Sequence, residues 1–326
     1  MPSRVLVTQQ ILQEGLDLLR AVGDVQIEVN PTPGAIWTPA ELLAHVPGHE
    51  YLLCLLTDQI DAAILGAGAG GSPALRLVAN MAVGYNNIDV EAARRLGVLV
   101  TNTPGVLTEA TADLTFALLL AVARRIPEAD RFTRTGRFTG WQPLLLLGAE
   151  VASKTLGIVG MGRIGRAVAR RGLGFSMSIL YTNPQRLPPA SARTLNAKFA
   201  SLEEVLRQAD FLSLHLPYTP QTHHLLNAET LALMKPGAYL INTARGSIVD
   251  EAALVAALKA GRLAGAALDV FEDEPRIDPA LLEMEQVVLA PHIGSATREA
   301  RARMATTAAG NILAHLRGQP PPNLVS

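Results

Sequence analysis

A glycine-rich turn in the middle of the chain limits the possible folds more than any other feature. The run Gly160-Met-Gly162-Arg-Ile-Gly165 follows an apolar segment at 156–159 and precedes a helix-like segment at 163–171. In a strand-turn-helix unit, the first glycine permits the tight turn, the second lets the backbone approach a pyrophosphate, and the third allows close helix-strand packing. The helix N-terminus adds free N–H groups and the positive end of the helix dipole. The pattern therefore predicts dinucleotide binding at Gly160, Gly162, Arg163, Ile164 and Gly165.

The end of the next predicted strand bears on which dinucleotide is bound. In such units, an acid about 20 residues beyond the glycine motif binds the adenosine ribose. Position 182 holds Thr182 instead, so no carboxylate binds the ribose hydroxyls or repels a 2′-phosphate, and Arg186 lies near enough to pair with one. We therefore predict NADP in preference to NAD, with Thr182, Asn183 and Arg186 as contacts. The alternative is that Arg186 is a solvated loop residue.

Short apolar runs alternate with helix-length segments along all 326 residues. This alternation is typical of parallel strands linked by crossover helices, and the length exceeds what one compact core usually fills. The sequence therefore predicts the α/β class, with a change of domain near residues 101–110. We further expect a strand at 52–56, a helix at 109–125 and a frayed end at residues 320–322.

Composition excludes several classes of function. The 28 Lys and Arg residues balance 29 Asp and Glu without a basic stripe interleaved with aromatics, which argues against nucleic acid as a partner. Cys54, the single cysteine, lies in an apolar run and is interpreted as a small buried hydrophobe. No apolar stretch reaches about 20 residues, so we predict no membrane span. The N-terminal residues show no signal-peptide pattern, and we expect a cytoplasmic location and no metal site.

Three polar residues follow predicted strand ends, where open α/β sheets bind ligands: Arg245, Glu274 and His292. Hydride transfer to a carbonyl carbon builds negative charge on the carbonyl oxygen, which requires a nearby cation and a proton donor. Arg245 and His292 are of the right types, and a carboxylate at Glu274 would favour the imidazolium form of the histidine. Taken singly, each residue is better interpreted as a structural helper at a helix end or in a loop, and the catalytic interpretation depends on the three together.

Together these motifs resemble the D-2-hydroxyacid dehydrogenase family, and within it the glyoxylate/hydroxypyruvate reductases. The resemblance spans nearly the whole chain. It includes the glycine motif and five further segments: Leu53-Cys-Leu-Leu-Thr-Asp58, Met81-Ala-Val-Gly84, Asn242-Thr-Ala-Arg-Gly246, Leu268-Asp-Val-Phe271 and Pro291-His-Ile-Gly-Ser-Ala-Thr297.

The resemblance implies two doubly wound Rossmann-like domains with the active site in the cleft between them. Residues 104–297 would bind the dinucleotide, and residues 1–103 with 298–326 would form a substrate-binding domain from both chain ends. His292 would be the acid/base, Glu274 its partner, and Arg245 the residue that holds the carboxylate and carbonyl of a small 2-oxo or 2-hydroxy acid. Further implied cofactor contacts are Pro217, Thr243, Asp269 and Gly294.

The resemblance also implies substrate contacts outside this group. Leu53, Val83 and Gly84 would contact the substrate, since a glycine allows the backbone to approach a carboxylate closely. Trp141, in a loop expected between helices, would reach the active site of the partner subunit, which implies a homodimer. The alternative is that this tryptophan only packs in a subunit interface or fills a local core, without contacting the substrate.

Other members of the same fold remain as alternatives. Formate dehydrogenases have Gln beside the histidine, and Glu274 argues against them. A 3-phosphoglycerate-type dehydrogenase needs cations for a phosphate, whereas residues 52–56 are apolar. Nucleotide-sensing corepressor scaffolds keep the catalytic residues, and the absence of an obvious regulatory tail argues against that class.

Overall fold

The computed structural model describes residues 2–325 and divides the chain into two compact units. Unit 1 comprises Met1–Leu107 and Ala296–Ser326, and unit 2 comprises Thr108–Ser295. These divisions lie within four residues of the bounds expected from the sequence. No helix within residues 2–325 combines the length and the apolar composition needed to cross a membrane.

Unit 1 is a five-stranded parallel sheet with the order β2-β1-β3-β4-β5. Its strands are short, and the central strands β3 and β4 are buried along their whole length, as expected for strands covered by helices on both faces. The elements are β1 (Ser3–Val7), α1 (Gln13–Arg20), β2 (Val25–Val29), α2 (Pro39–His45), β3 (Tyr51–Cys54), α3 (Ala62–Ala69), β4 (Leu77–Asn80), α4 (Val90–Arg95), β5 (Leu99–Thr101) and, from the far end of the chain, α13 (Arg298–Leu316).

Helix α13 completes the core on one face of this sheet. Its buried residues Met304, Ala305, Ala308 and Ile312 join the cluster formed by strands β1, β3 and β4. The helix approaches α1 so closely that a Cβ atom placed on Gly15 would lie 2.8 Å from that of Ala305. Both ends of the chain are therefore needed to bury this face.

The expectation of a frayed C-terminal end is wrong. The Val325 N–H donates to the Val100 carbonyl at 2.8 Å, and Leu324 forms an isolated antiparallel bridge with Thr101. Pro321 is buried. The helix ends at Leu316, before the prolines at 320–322, and the residues that follow the prolines extend the edge of the sheet beside β5.

Unit 2 is a seven-stranded parallel sheet with the order β12-β11-β10-β9-β6-β7-β8. The order reverses between β6 and β9, which creates the switch point where open α/β sheets bind ligands. The elements are α5 (Thr108–Ala123), α6 (Ile126–Arg134), β6 (Thr155–Val159), α7 (Arg163–Gly174), β7 (Ser178–Thr182), α8 (Pro189–Thr194), β8 (Ala197–Phe199), α9 (Leu202–Gln208), β9 (Phe211–Leu214), α10 (Ala228–Leu233), β10 (Ala238–Asn242), α11 (Glu251–Lys259), β11 (Leu263–Leu268), α12 (Pro279–Glu283) and β12 (Val287–Leu289).

The two parallel sheets confirm the predicted α/β class with two Rossmann-like units. Several predicted bounds differ from the structure. The strand expected at 52–56 is β3 at Tyr51–Cys54, and the helix expected at 109–125 ends at Ala123. Arg125 then adopts a left-handed conformation with φ 53°, and a second helix, α6, begins at Ile126.

Candidate active site

The glycine turn lies at the switch point, between β6 and α7. Gly160 has φ +97°, and a Cβ there would lie 2.5 Å from the His215 carbonyl oxygen, so only glycine fits. A Cβ on Gly165 would overlap the Gly160 carbonyl oxygen, which explains the close packing of α7 on the turn. Gly162, at the N-cap of α7, faces open space. The turn therefore has the shape and the free helix N-terminus that suit a pyrophosphate.

The predicted ribose-side contacts lie at the end of β7. Thr182 is the last residue of that strand, and the Asn183 Oδ1 atom accepts from the Met161 N–H at 3.0 Å, which ties this end to the glycine turn. The Arg186 guanidinium lies over the Phe199 ring, 4.5 Å from its centroid. Stacking holds the planar guanidinium in place on the surface. Arg163, at the start of α7, is also exposed, whereas Ile164 is half-buried.

Other residues follow the carboxyl ends of neighbouring strands of the same sheet. Pro217 is exposed in the loop after β9, and the Thr243 hydroxyl, just past β10, lies 2.9 Å from that of Thr115. His215, which was not singled out in the sequence, immediately follows β9. Burial lowers the pKa of its imidazole to about 3, and Nε2 lies 2.8 Å from the Ser213 hydroxyl. Its position just after a strand is the signal that could have identified it.

Asp269 organises the loop that carries His292. Its two carboxylate oxygens accept from the N–H groups of Ile293 and Gly294, each at 2.7 Å, and its carbonyl accepts from the His292 N–H. Burial raises the pKa of Asp269, against the lowering effect of these N–H groups and of the His292 charge. The clamp holds His292 at φ +53°, a left-handed conformation that non-glycine residues adopt at a cost.

His292 and Glu274 form a hydrogen-bonded pair at the end of the sheet. His292 Nδ1 lies 2.8 Å from Glu274 Oε2, and the other carboxylate oxygen accepts from the Phe271 N–H at 3.0 Å. Burial raises the pKa of Glu274, but the His292 hydrogen bond and charge, the Phe271 N–H and the charge of Arg245 outweigh it and leave that pKa lowered. The carboxylate is therefore ionised and orients the imidazole.

Arg245 follows β10 in the same unit. Its Nη1 atom donates to the neighbouring Ala244 carbonyl at 2.7 Å, and the Asn242 side chain holds the Arg245 carbonyl at 2.9 Å. Burial lowers the pKa of its guanidinium, against the opposing effect of the Glu274 charge. Because an arginine keeps its proton even when buried, the structure brings a cation together with the His292–Glu274 pair.

The backbones that carry Arg245 and Glu274 pass each other at Gly246. A Cβ on Gly246 would overlap the Phe271 carbonyl carbon and oxygen and lie within 3 Å of the Glu272 nitrogen. Beside this crossing, the carboxylates of Glu251 and Glu272 each accept from the other residue's N–H, at 2.7 and 3.2 Å. Gly246 and this reciprocal pair therefore fix the loop that presents Glu274.

The predicted substrate contacts Val83 and Gly84 lie in unit 1, in the loop after β4. Asn102 Nδ2 donates to the Val83 carbonyl at 2.7 Å, and Asn80 Nδ2 donates to the Gly84 carbonyl at 2.9 Å. Because peptide groups are planar and trans, the N–H groups of Gly84 and Tyr85 point away from these asparagines. Neither asparagine was singled out in the sequence, although both lie at strand ends.

Leu53 is not brought to this loop. Its side chain is 0% exposed and packs in the core of unit 1 with Val7, Leu77 and Ala79. It lies inside β3, on the covered face of the sheet, so its side chain is enclosed by unit 1. The apolar residues that follow the strand and are partly exposed are Leu55 and Leu56.

Trp141 lies in the segment between α6 and β6, and not between two helices as expected. Its side chain is 83% exposed, the largest exposure among the large apolar residues described. The same stretch of the chain exposes four other large apolar side chains: Ile126, Phe138, Leu144 and Leu147. Unit 2 thus has an apolar segment at 126–147 that its own core does not cover.

Comparisons with known proteins agree with the fold. The family described as "D-isomer specific 2-hydroxyacid dehydrogenase, NAD binding domain" matches residues 116–294. A glyoxylate reductase of Aeropyrum pernix is 50% identical, over 99% of this chain and 96% of its own length.

Two solved structures are similar along the whole chain. A protein of Thermus thermophilus has a TM-score of 0.91 and 48% identity, with 99% of this chain and 100% of that chain covered. An NADPH-dependent glyoxylate/hydroxypyruvate reductase of Sinorhizobium meliloti, in complex with NADP and malonate, has a TM-score of 0.86 and 33% identity, with 100% and 97% covered. From its sequence, its sheets and these relatives, the chain is a nicotinamide-dependent enzyme of the D-2-hydroxyacid dehydrogenase family.

Proposed function

We propose that the chain reduces glyoxylate to glycolate and hydroxypyruvate to D-glycerate. The relatives named above, a glyoxylate reductase and a glyoxylate/hydroxypyruvate reductase, support this substrate class. The observation that carries the chemistry is the 2.8 Å pairing of His292 with Glu274 in the unit that also holds Arg245. A bound reduced nicotinamide would supply the hydride to the carbonyl carbon of the 2-oxo acid.

His292 is the proposed proton donor. Its Nδ1 atom is engaged by Glu274, so Nε2 is the ring nitrogen that would protonate the carbonyl oxygen as negative charge builds there. The ionised Glu274 stabilises the imidazolium and holds its orientation. Arg245 is the proposed cation for the substrate carboxylate and carbonyl, since a buried guanidinium pairs with carboxylates through two hydrogen bonds.

We assign binding of the dinucleotide to the glycine turn of unit 2, with NADP preferred to NAD. Gly160, Gly162 and Gly165 have the conformations that a pyrophosphate site requires. Thr182 offers no negative charge to a 2′-phosphate, and Arg186, already held against Phe199, offers a positive one. The remaining assigned contacts are Arg163, Ile164, Asn183, Pro217, Thr243, Asp269 and Gly294.

We assign binding of the substrate carboxylate to the Val83–Gly84 loop of unit 1. The two side-chain amides that hold the loop carbonyls direct its N–H groups outward, as an anion requires. Unit 1 is thus the proposed substrate-binding domain. A cytoplasmic location belongs to the same proposal, because reduced nicotinamide cofactors are supplied there.

A homodimer is also part of the proposal. The five large apolar side chains exposed within residues 126–147 support it, because aromatic and apolar side chains are enriched in the cores of homodimer interfaces. Trp141 is the proposed contact from the partner subunit to the substrate.

The test is the oxidation of NADPH and of NADH by purified protein with glyoxylate or hydroxypyruvate. We expect turnover with both acids, and a loss of roughly 10²–10⁴-fold in His292→Ala, the range that a general acid contributes. His223→Ala is the matched control, since His223 is an exposed histidine of the same unit that stacks on His224.

If the protein turned over only a phosphorylated 2-oxo acid, its function would be that of a 3-phosphoglycerate-type dehydrogenase instead. Absence of turnover with every acid, together with tight nucleotide binding, would favour a nucleotide-sensing scaffold.

A further inference from the structure

Helix α13 buries one polar side chain at a position where an apolar side chain would also pack. Asn311 is 1% exposed, and its buried neighbours in the helix are apolar residues such as Ala308 and Ile312. Burying an amide is unfavourable unless its hydrogen bonds are made, whereas a leucine of similar size would bury without that requirement. The bonds of Asn311 therefore indicate what it does.

Asn311 joins the tail of the chain to the end of β5 through three hydrogen bonds that close on themselves. Asn311 Nδ2 donates to the Asn102 carbonyl at 3.1 Å, the Asn102 N–H donates to the Asn323 carbonyl at 3.2 Å, and Asn323 Nδ2 donates to Asn311 Oδ1 at 2.9 Å. We call these three residues the asparagine ring. Every member both donates and accepts, so the ring has one well-defined arrangement.

The asparagine ring is connected by a hydrogen bond to the loop to which we assign carboxylate binding. The side chain of Asn102 points out of the ring and donates to the Val83 carbonyl at 2.7 Å. This bond sets the plane of the peptide between Val83 and Gly84, and so the direction of the Gly84 N–H.

A second path holds the other side of the loop. Asn80 donates to the Gly84 carbonyl and, at 3.3 Å, to Asn87 Oδ1; Asn87 in turn donates to the Leu55 and Asp58 carbonyls. This path does not involve the tail. The loop is thus held by a support local to β3 and β4, by the Thr103 N–H, which donates to the Ala82 carbonyl at 2.9 Å, and by the Asn102 side chain, whose position depends on residue 323.

We propose that Asn311 and Asn323 are positioning residues for the substrate carboxylate, acting through Asn102 on the Val83–Gly84 loop. The inference rests on the proposed function. The C-terminal tail thereby sets the affinity for the 2-oxo acid, although it is more than 200 residues from the loop in sequence. The dinucleotide contacts, which belong to unit 2, are independent of it.

The test compares Asn323→Ala with Leu324→Ala in the full-length protein. Asn323→Ala removes the donor to Asn311 and leaves the backbone of the tail intact, while Leu324 is 45% exposed and lies next to it. We expect Asn323→Ala to raise KM for glyoxylate, and the inhibition constant of oxalate, about five- to tenfold, the factor that corresponds to a lost neutral hydrogen bond. KM for NADPH and kcat stay unchanged, and Leu324→Ala matches the wild type.

Asn311→Ala should likewise raise KM for glyoxylate and leave KM for NADPH and kcat unchanged. Thermal unfolding establishes that each variant is folded. Equal changes in kcat and in both KM values, or no change in KM for glyoxylate, would overturn the positioning inference and leave the reductase function standing. A wild-type protein without activity on 2-oxo acids would overturn the proposed function, and this inference with it.

Discussion

His292 Nδ1 lies 2.8 Å from Glu274 Oε2, and the backbone N–H of Phe271 holds the second oxygen of the same carboxylate. The carboxylate is therefore fixed before it orients the histidine. This order of support, from backbone to carboxylate to imidazole, makes the pair sensitive to the loop that carries Glu274.

Glu274→Gln should lower kcat with glyoxylate by about 10- to 100-fold, because a neutral amide no longer stabilises the imidazolium. Steady-state kinetics at neutral pH measure the effect. Glu283→Gln, which changes an exposed glutamate of the same unit, is the control. An unchanged kcat in Glu274→Gln would show that the pair takes no part in proton transfer.

The same variant tests a pH dependence of stability. The pKa of Glu274 is lowered in the folded state, so its ionised form stabilises the fold above the ordinary glutamate pKa of about 4.3, and this contribution is lost as pH falls through the folded value. The difference in unfolding free energy between wild type and Glu274→Gln should therefore shrink below about pH 4.3. Urea unfolding over an acidic pH series checks this, and a difference that grows toward acid would contradict it.

Thr182→Asp should reduce kcat/KM for NADPH by about 10- to 100-fold, because the new carboxylate repels a 2′-phosphate, and should leave NADH less affected. Thr194→Asp adds the same charge at an exposed site of the same unit and serves as control. Steady-state kinetics with both cofactors give the ratio of kcat/KM for NADPH to kcat/KM for NADH. A wild-type preference for NADH, or equal loss with both cofactors, would reject the assignment of NADP.

Gly246→Ala should lower kcat by on the order of 10²-fold, since the added methyl group displaces the Phe271 backbone and with it Glu274. Gly174→Ala is the matched control, because a Cβ at Gly174 meets nothing within 4 Å. Kinetics and thermal unfolding are measured for both. Normal kcat in a folded Gly246→Ala protein would mean that the crossing of the two loops does not position Glu274.

Leu144→Asp should weaken a homodimer by on the order of tenfold or more, since charge in an apolar interface is left without a partner. Sedimentation over a concentration series measures the association. Leu282→Asp changes a side chain that is 60% exposed outside the segment at 126–147 and is expected to have no effect. A wild-type protein that stays monomeric at every concentration would remove both the dimer and the assignment of Trp141 to the partner's substrate.

The sequence was most informative at positions where function requires a particular backbone conformation. The glycine turn could be predicted because Gly160 and Gly165 each meet a steric limit, and those limits are local. Arg245, Glu274 and His292 follow strand ends, and parallel strands bring such residues to one edge of a sheet. Their pairing could be inferred only from the family resemblance, since 18 residues separate Glu274 from His292.

Contacts between distant residues could not be predicted in this way. No strand was predicted at residues 77–80, where β4 lies, and the burial of Leu53 depends on which face of β3 is covered by α13. The asparagine ring joins residues 102, 311 and 323, and nothing in the local sequence indicates that three amides meet. The tail was expected to fray because chain ends are often poorly ordered, whereas residues 324 and 325 pair with the sheet edge.

The discontinuous course of unit 1 has a consequence for biosynthesis. The sheet residues of this unit leave the ribosome first, but the helix that covers one of its faces is made after all of unit 2. Unit 2 is continuous in sequence, so its core is complete earlier and we expect it to become stable first. During that interval the nascent N-terminal sheet exposes an apolar surface, and we expect a chaperone to bind it until α13 has been made.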